Sequence, residues 1–251
     1  MRSLRSRLRS TYARIGHTYW SWKWGLLLLS VVIFVPLGLL DALALQVDVE
    51  SLDLNSGIKV AALLTAIALA TTTGLLGEVF FSGAVAISLT HPEHDRPPPL
   101  SHIARQINYR RLIALDILYV ILVAVGFALL IVPGVLVFIW LGLAGPVVEI
   151  EERTVRGAFR RSWELVRGNF WFVFWVLVPV EVIGDALGDG VAHLIHDWLG
   201  DTLVAGWLAE SASNIVLSPA FAVAAVLLTV ELIHQKDGSG PRVHSAPGVT
   251  A

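Results

Sequence analysis

The stretch GPVVEIEERTVRGAFRRSWELVRGNFWFVFWV, residues 145–176, passes from an apolar run through a dense charged patch into a second apolar run. Three readings compete for the patch: a basic helix for nucleic acid, a catalytic group, or a joint between two membrane spans. Its flanks decide. The 251 residues are 55% hydrophobic and only 15% charged, with a mean hydropathy of +0.71. A soluble domain of this size needs a more polar surface, and long apolar runs recur along the chain, so it reads as an integral membrane protein. A nucleic-acid surface would want the same arginines, but not between two spans; nucleic acid is not an expected partner.

Working outward, six apolar runs emerge near residues 25–45, 58–89, 112–131, 134–150, 170–184 and 203–233. The second is longer than a hydrocarbon core of about 30 Å needs, so it is expected to tilt or to leave the membrane for its last turns. HPEHDRPPPL breaks the chain after it, since Pro97, Pro98 and Pro99 cannot continue a helix. Val132, Pro133 and Gly134 read as the turn of an antiparallel hairpin between the third and fourth spans. The fifth run dissolves into GDALGDGVAHLIHDWLGDT, which reads as a separate amphipathic interfacial helix. Pro219 marks an expected kink in the sixth. The tail, residues 236–251, has little to bury and is expected to be disordered, leaving residues 1–235 as one six-span domain.

Charge placement checks the count. Basic residues gather at 2–23, at 96–111, at 153–167, and at Lys236 and Arg242, and six spans put all four groups on one side. Only Lys59 joins the opposite side, with Asp48, Glu50, Asp53, Asp185, Asp189, Asp197 and Asp201. This is the positive-inside pattern of a multi-pass cell-membrane protein with cytoplasmic termini. The basic start resembles a signal-peptide n-region, but no small-x-small cleavage pattern follows, so the first span is expected to be retained. Segments 9–24, 100–111 and 155–169 each run into an odd-numbered span and form a weak repeat around Ala13, Ala104 and Ala158. They are expected to lie as basic amphipathic helices at the interface, with the apolar side chains of the last, Trp163 among them, in lipid and its arginines among headgroups.

From Pro133 and Gly134, through the run ending GPVVEIEE, to RGAFRRSWELVRGNF, the chain resembles the signature half of the glycerophosphoryl diester phosphodiesterase membrane-domain family and related six-span proteins. The corresponding residues are Pro133, Gly134, Pro146, Glu149 or Glu151, Ala158, Arg161, Ser162, Trp163, Leu165, Arg167 and Gly168. The remainder is similar only in hydrophobic layout. In the phosphodiesterase members a separate catalytic barrel follows the membrane part. No stretch for it follows the sixth run here, so the resemblance implies architecture and not that activity.

Ionisable groups within spans are functional candidates, because burying them unpaired is costly. Asp116 lies one turn inside the third span, within reach of Arg110 or Arg111. Glu149 ends the fourth, and Glu78 is expected near the same interface. With Arg160, Arg161, Ser162 and Arg167 they define a weak ligand or partner site. The competing reading is that acid–arginine pairs pin the interfacial helices to the bundle. Glu181 and Glu210 are expected toward the outer ends of their spans, leaving the midplane with little beyond Thr71, Thr72, Thr73, Ser82 and Tyr119. Neither His91 with His94 nor His193 with His196 brings a third ligand, so no metal is expected. With no cysteine, disulfides, thiol catalysis, and thiolate zinc and iron–sulfur ligation are excluded. No nucleophile elbow, P-loop or dinucleotide motif is present, and no cofactor is expected.

The leading expectation is a non-catalytic scaffold that organises a partner in envelope or lipid-related processes. The alternative is a transporter or lipid-translocating protein using a cavity near Glu78, Asp116 and the 156–167 arginines. Membrane lipids are expected contacts, and a protein partner or a second copy of the chain stays open. Transport predicts a cavity reaching Glu78 or Asp116; an enzyme predicts those acids converging with Arg161, Ser162 or His94; a scaffold predicts basic helices closed by local pairs.

Overall fold

A computed structural model describes residues 4–44, 77–90, 99–200 and 202–238. Among them are nine helices and no strand: α1 (Leu4–Ala44), α2 (Glu78–Thr90), α3 (Leu100–Gln106), α4 (Tyr109–Leu129), α5 (Ile131–Leu141), α6 (Ala144–Ile150), α7 (Val155–Val166), α8 (Phe170–Leu199) and α9 (Leu203–Asp237). Five stretches are long and apolar enough to cross a membrane: Leu4–Leu39, Tyr109–Leu129, Ile131–Ile150, Phe170–Leu199 and Leu203–Asp237. The chain is therefore an all-α, multi-span membrane protein. Its outer surface agrees: Ile113, Ile117, Ile121 and Val125 form an exposed stripe along α4 at i, i+4 spacing, the face a spanning helix turns to lipid. Most of the second apolar run (58–76), Lys59, Thr71–Thr73, the acidic loop 46–57, His91, His94, Asp201, the side chain of Glu210 and the tail beyond Gly238 lie outside the described residues.

The axis of the bundle is α9, in which residues 221–230 are all buried. Antiparallel to it runs α1, since Arg7 meets Glu231, Tyr19 bonds the Val216 carbonyl, and Trp207 bonds the Val35 carbonyl. On α9 also pack α8 and α2. The prolines inside these helices leave carbonyls without a helical donor, and α1 supplies one of the missing bonds. Pro179 deprives the Trp175 carbonyl of its partner, and the Tyr12 hydroxyl donates to it instead. Glycine brings α2 against α6, where a Cβ on Gly145 would lie 2.2 Å from the Val79 carbonyl oxygen. That close approach is the packing use expected of glycine in membrane bundles.

Several boundaries differ from the sequence reading. The basic segment 9–24 is no separate interfacial helix but the first half of the continuous 41-residue α1, because Arg7, Ile15 and Trp22 find partners along the bundle. The hairpin turns at Leu130, in extended conformation, and Pro133 falls in the first turn of α5, where its missing N–H is not needed. Likewise α8 continues unbroken to Leu199, so the amphipathic piece beyond residue 184 belongs to the fifth span. Gly188 does not break it, because that glycine faces Ser213 of α9 and serves packing.

Candidate functional site

Gly77 opens the described part of the second apolar run. This residue has a φ of 90°, a left-handed conformation open to glycine, and α2 starts immediately after it. A helix beginning inside the bundle exposes its first N–H groups without partners and carries partial positive charge there. Asp116 of α4 meets both needs. One carboxylate oxygen accepts from the Gly77 N–H at 2.8 Å; the other accepts from Val79 and Phe80 at 3.1 and 3.2 Å. The sequence reading paired Asp116 with Arg110 or Arg111, whereas the structure spends it on backbone donors, so a buried acid needs no base.

Glu78 opens α2 and is 4% exposed, enclosed by the neighbouring helices. Its side chain bonds Ser218 of α9, while Oε2 has no hydrogen-bond partner among the described residues. Close enough for charge interaction lie Asp116 and, on α8, Glu181 and Asp185. Tyr119, one turn beyond Asp116, is 1% exposed and equally without a partner for its hydroxyl. That hydroxyl senses Glu181, Glu78 and Asp116 together. Glu181 lies eleven residues into α8, roughly 16 Å along the helix from Phe170. The described residues contain no group of three acids or histidines disposed to hold a metal ion.

A cavity of about 580 Å³ opens between α1, α2, α3 and α4. Leu29, Ile33, Phe80, Ile103 and Ile117 are typical of its walls, and Gly77 and Asp116 form its inner end. Asp116 is the one charged residue among its described lining residues. Pro36 also lines it and leaves the carbonyl of Val32, another wall residue, without a helical donor. A smaller hollow of about 260 Å³ shares Leu29, Leu100 and Ile103 with it and continues to Trp22 and Trp24. There Lys23 rests its ammonium over the rings of Trp20, at 3.7 Å, and Trp24, at 5.7 Å.

The remaining sequence-nominated residues form a different assembly at one end of the bundle. Thr154 caps α7, whose inner face is Ala158, Ser162, Leu165 and Val166. These side chains therefore meet the bundle rather than lipid, and only Trp163 of the expected apolar face is exposed. Ser162 donates to the Trp140 carbonyl at 2.7 Å, at the joint where α5 gives way to α6 with Pro146 in its first turn. Arg161 is held by Glu151 at 3.0 Å and by Asp237. Burial works against its charge, but those carboxylates outweigh burial and hold the guanidinium above its ordinary value. Arg160 pairs with Glu164, Arg167 lies 5.2 Å from the Trp163 ring centre, and Lys236 donates to the Arg167 carbonyl. Glu149 accepts from the Asn108 N–H, and Arg111 donates to the Glu152 carbonyl. Arg7 and Arg14 share Glu231 at the same end. Gly168, with a φ of 91°, makes the turn into α8, and Gly134 lies against Gly126 in the hairpin.

The nominated set therefore divides: Glu78 and Asp116 lie in the interior, whereas Glu149, Arg160, Arg161, Ser162 and Arg167 belong to the end joint. Ser162 and Arg161 make their contacts away from both interior acids. No family model, curated protein or solved structure matches the chain. Sequence reasoning missed the left-handed backbone at Gly77 and the helix start that follows it. One signal was available: the run 58–89 is far longer than the roughly 20 residues a crossing needs.

Proposed function

We propose that the protein moves a lipid or similar amphiphile between membrane leaflets, with the cavity over Gly77 and Asp116 as its working volume. One observation carries this reading: the apolar cavity ends at Gly77, where a helix begins inside the bundle with its first N–H groups on the carboxylate of Asp116. Helix ends at membrane depth are tolerated where they line a cavity and are a recurrent element of transporters. The apolar walls suit an acyl chain. Lys23 beside the tryptophans suits an anionic headgroup at the interface.

In this reading the chain makes six crossings with its termini cytoplasmic. Support comes from the end joint, where contacts bring all four basic groups to one end of the bundle. The resemblance of residues 133–168 to the membrane-domain family concerns this joint, so it speaks for shared architecture. The closed arginine pairs favour a second reading, a scaffold whose partner covers the same end.

Reconstitution separates the two. Vesicles of phosphatidylcholine with a trace of tail-labelled phosphatidylglycerol are treated with a membrane-impermeant quencher. Transport predicts that wild-type protein exposes the inner-leaflet label and that Ala104→Trp, which fills the cavity from α3, slows this by about tenfold, a barrier change near 1.4 kcal/mol. Vesicles with wild-type protein that behave like empty ones would sink the transport reading and leave the scaffold.

A further inference from the structure

We infer that the cavity seats a single acyl chain taken sideways from the bilayer, and that its ligand is a single-chain amphiphile with an anionic group in its head. A lysophospholipid and a long-chain fatty acid share that chemistry. The inference deepens the transport reading and rests on the same cavity, but it concerns binding alone. Four of the lining residues are wall and surface at once. Val32 and Pro36 on α1, with Ile113 and Ile117 on α4, line the cavity and are exposed. Ile113 and Ile117 also belong to the stripe that α4 turns to lipid. The cavity therefore opens toward the hydrocarbon as a slot between α1 and α4. Behind the slot its walls are closed, with Leu29, Ile103 and Asp116 only 6%, 4% and 5% exposed.

Size selects one chain. A methylene takes the room of a liquid water molecule, roughly 30 Å³, so a volume of about 580 Å³ holds about nineteen of them. That is one membrane acyl chain, with no room for a second. Length agrees. The smaller hollow shares Leu29, Leu100 and Ile103 with the cavity, and together they follow α1 from Trp22 to Leu37. This part of α1 rises about 22 Å, enough for the chain of one leaflet, which spans roughly half of a 30 Å core. The polar head belongs at the Trp22 end. There Lys23, beside Trp20 and Trp24, offers a positive charge to a phosphate or a carboxylate. At the other end Asp116 tolerates a methyl terminus, because its oxygens are taken up by the N–H groups of Gly77, Val79 and Phe80. A two-chain lipid would leave its second chain in the bilayer and gain nothing there over ordinary lipid.

Photo-cross-linking of the full chain in phosphatidylcholine vesicles tests it. Lysophosphatidylcholine and palmitate, each with a diazirine near the chain end, are compared with a two-chain phosphatidylcholine carrying the same group. Adducts are located by peptide mass spectrometry. At least one single-chain probe should mark Gly77, Phe80 or Asp116, and the probe that does so assigns the source of the chain. Ile117→Trp, at an exposed position on the slot, should reduce those adducts by about tenfold. Adducts at the lipid-facing Val125 should stay unchanged, which shows that the fold is kept. Ala104→Trp should give the same reduction from α3. Failure of both single-chain probes to mark these residues overturns the inference. So does equal marking by the two-chain probe, or marking that both tryptophan variants leave untouched. Marking that persists while labelled phosphatidylglycerol stays in its leaflet keeps the seat and sinks transport; leaflet exchange without marking does the reverse.

Discussion

The two polar regions of the molecule solve the same problem in opposite ways. At the end joint, four acids meet bases: Glu151 and Asp237 take Arg161, Glu231 takes Arg7 and Arg14, and Glu164 takes Arg160. In the interior, no base is at hand among the described residues. Asp116 is compensated by the start of a helix, and Glu78 has Ser218 and other acids as its described neighbours. The contrast follows from the solvent. Near water and headgroups, long cationic side chains are cheap to place and bring their own hydration. In hydrocarbon, the nearest inexpensive positive charge is the start of a helix. Interior acids thus shape the backbone, whereas end-joint acids fasten helices already formed.

The contrast breaks first at Asp116. Asp116→Ala strands three buried N–H groups and should lower stability by about 3–5 kcal/mol, from one to three per orphaned donor with partial relaxation. Asp116→Asn keeps one acceptor and should lose about half of that. Reversible unfolding in mixed micelles reads both; a loss under about 1 kcal/mol for the alanine variant would mean that α2 is held from elsewhere. Next is Arg161→Ala, which frees Asp237 and leaves Glu151 with Arg153 alone at a half-buried site, with side-chain exposure of 14% for Arg161. A loss of about 2 kcal/mol is expected, below the range for fully buried pairs. Arg161→Lys should recover only part of it, because the guanidinium reaches two acids at once. Equal losses at Asp116 and Arg161 would erase the distinction between the regions.

The sequence made the end joint legible and the interior opaque, and the reason is physical. Arginines, Pro146, Ala158, Ser162 and Gly168 lie within one short stretch, so their spacing already places them on one helix and its two turns. The α7 inner face could be read wrongly as lipid-facing only because Ala158 and Leu165 suit either neighbour. Interior contacts join residues far apart in the chain: Gly77 with Asp116, Glu78 with Ser218. No periodicity encodes which helices meet. Hydropathy exposed the multi-span class because lipid demands apolar length of every crossing alike. The helix start after Gly77 was hidden because glycines in spans serve close packing more often than helix termini, as Gly145 and Gly188 do here.

A smaller effect sharpens the comparison from within the joint. Ser162 spends its hydroxyl on the Trp140 carbonyl, the counterpart of what Asp116 does for N–H groups, but neutral and singular. Ser162→Ala should therefore lower stability by about 1 kcal/mol. Hydrogen exchange should quicken at the joint between α5 and α6 and stay unchanged at the start of α2. Exchange rising in both places would show that the two regions share one cooperative unit.

Smallest of all is Arg160→Ala. The Arg160–Glu164 pair has good distance, 2.9 Å, and the favourable i, i+4 spacing, yet the arginine side chain is 81% exposed. An exposed pair gains little Coulomb energy in a high dielectric and gives up side-chain freedom to form. The loss should stay below about 0.5 kcal/mol and vanish in high salt, where the Debye length shrinks to a few ångströms. The same substitution has a second consequence in anionic vesicles. An unburied arginine on a helix at the membrane end serves headgroups more than it serves Glu164, so binding of α7 to phosphatidylglycerol surfaces should weaken by about 1 kcal/mol. A large stability loss in detergent together with unchanged lipid binding would reverse that assignment. It would place Arg160 with Arg161 among the fasteners, and leave the exposed Arg156 to meet the membrane through this helix.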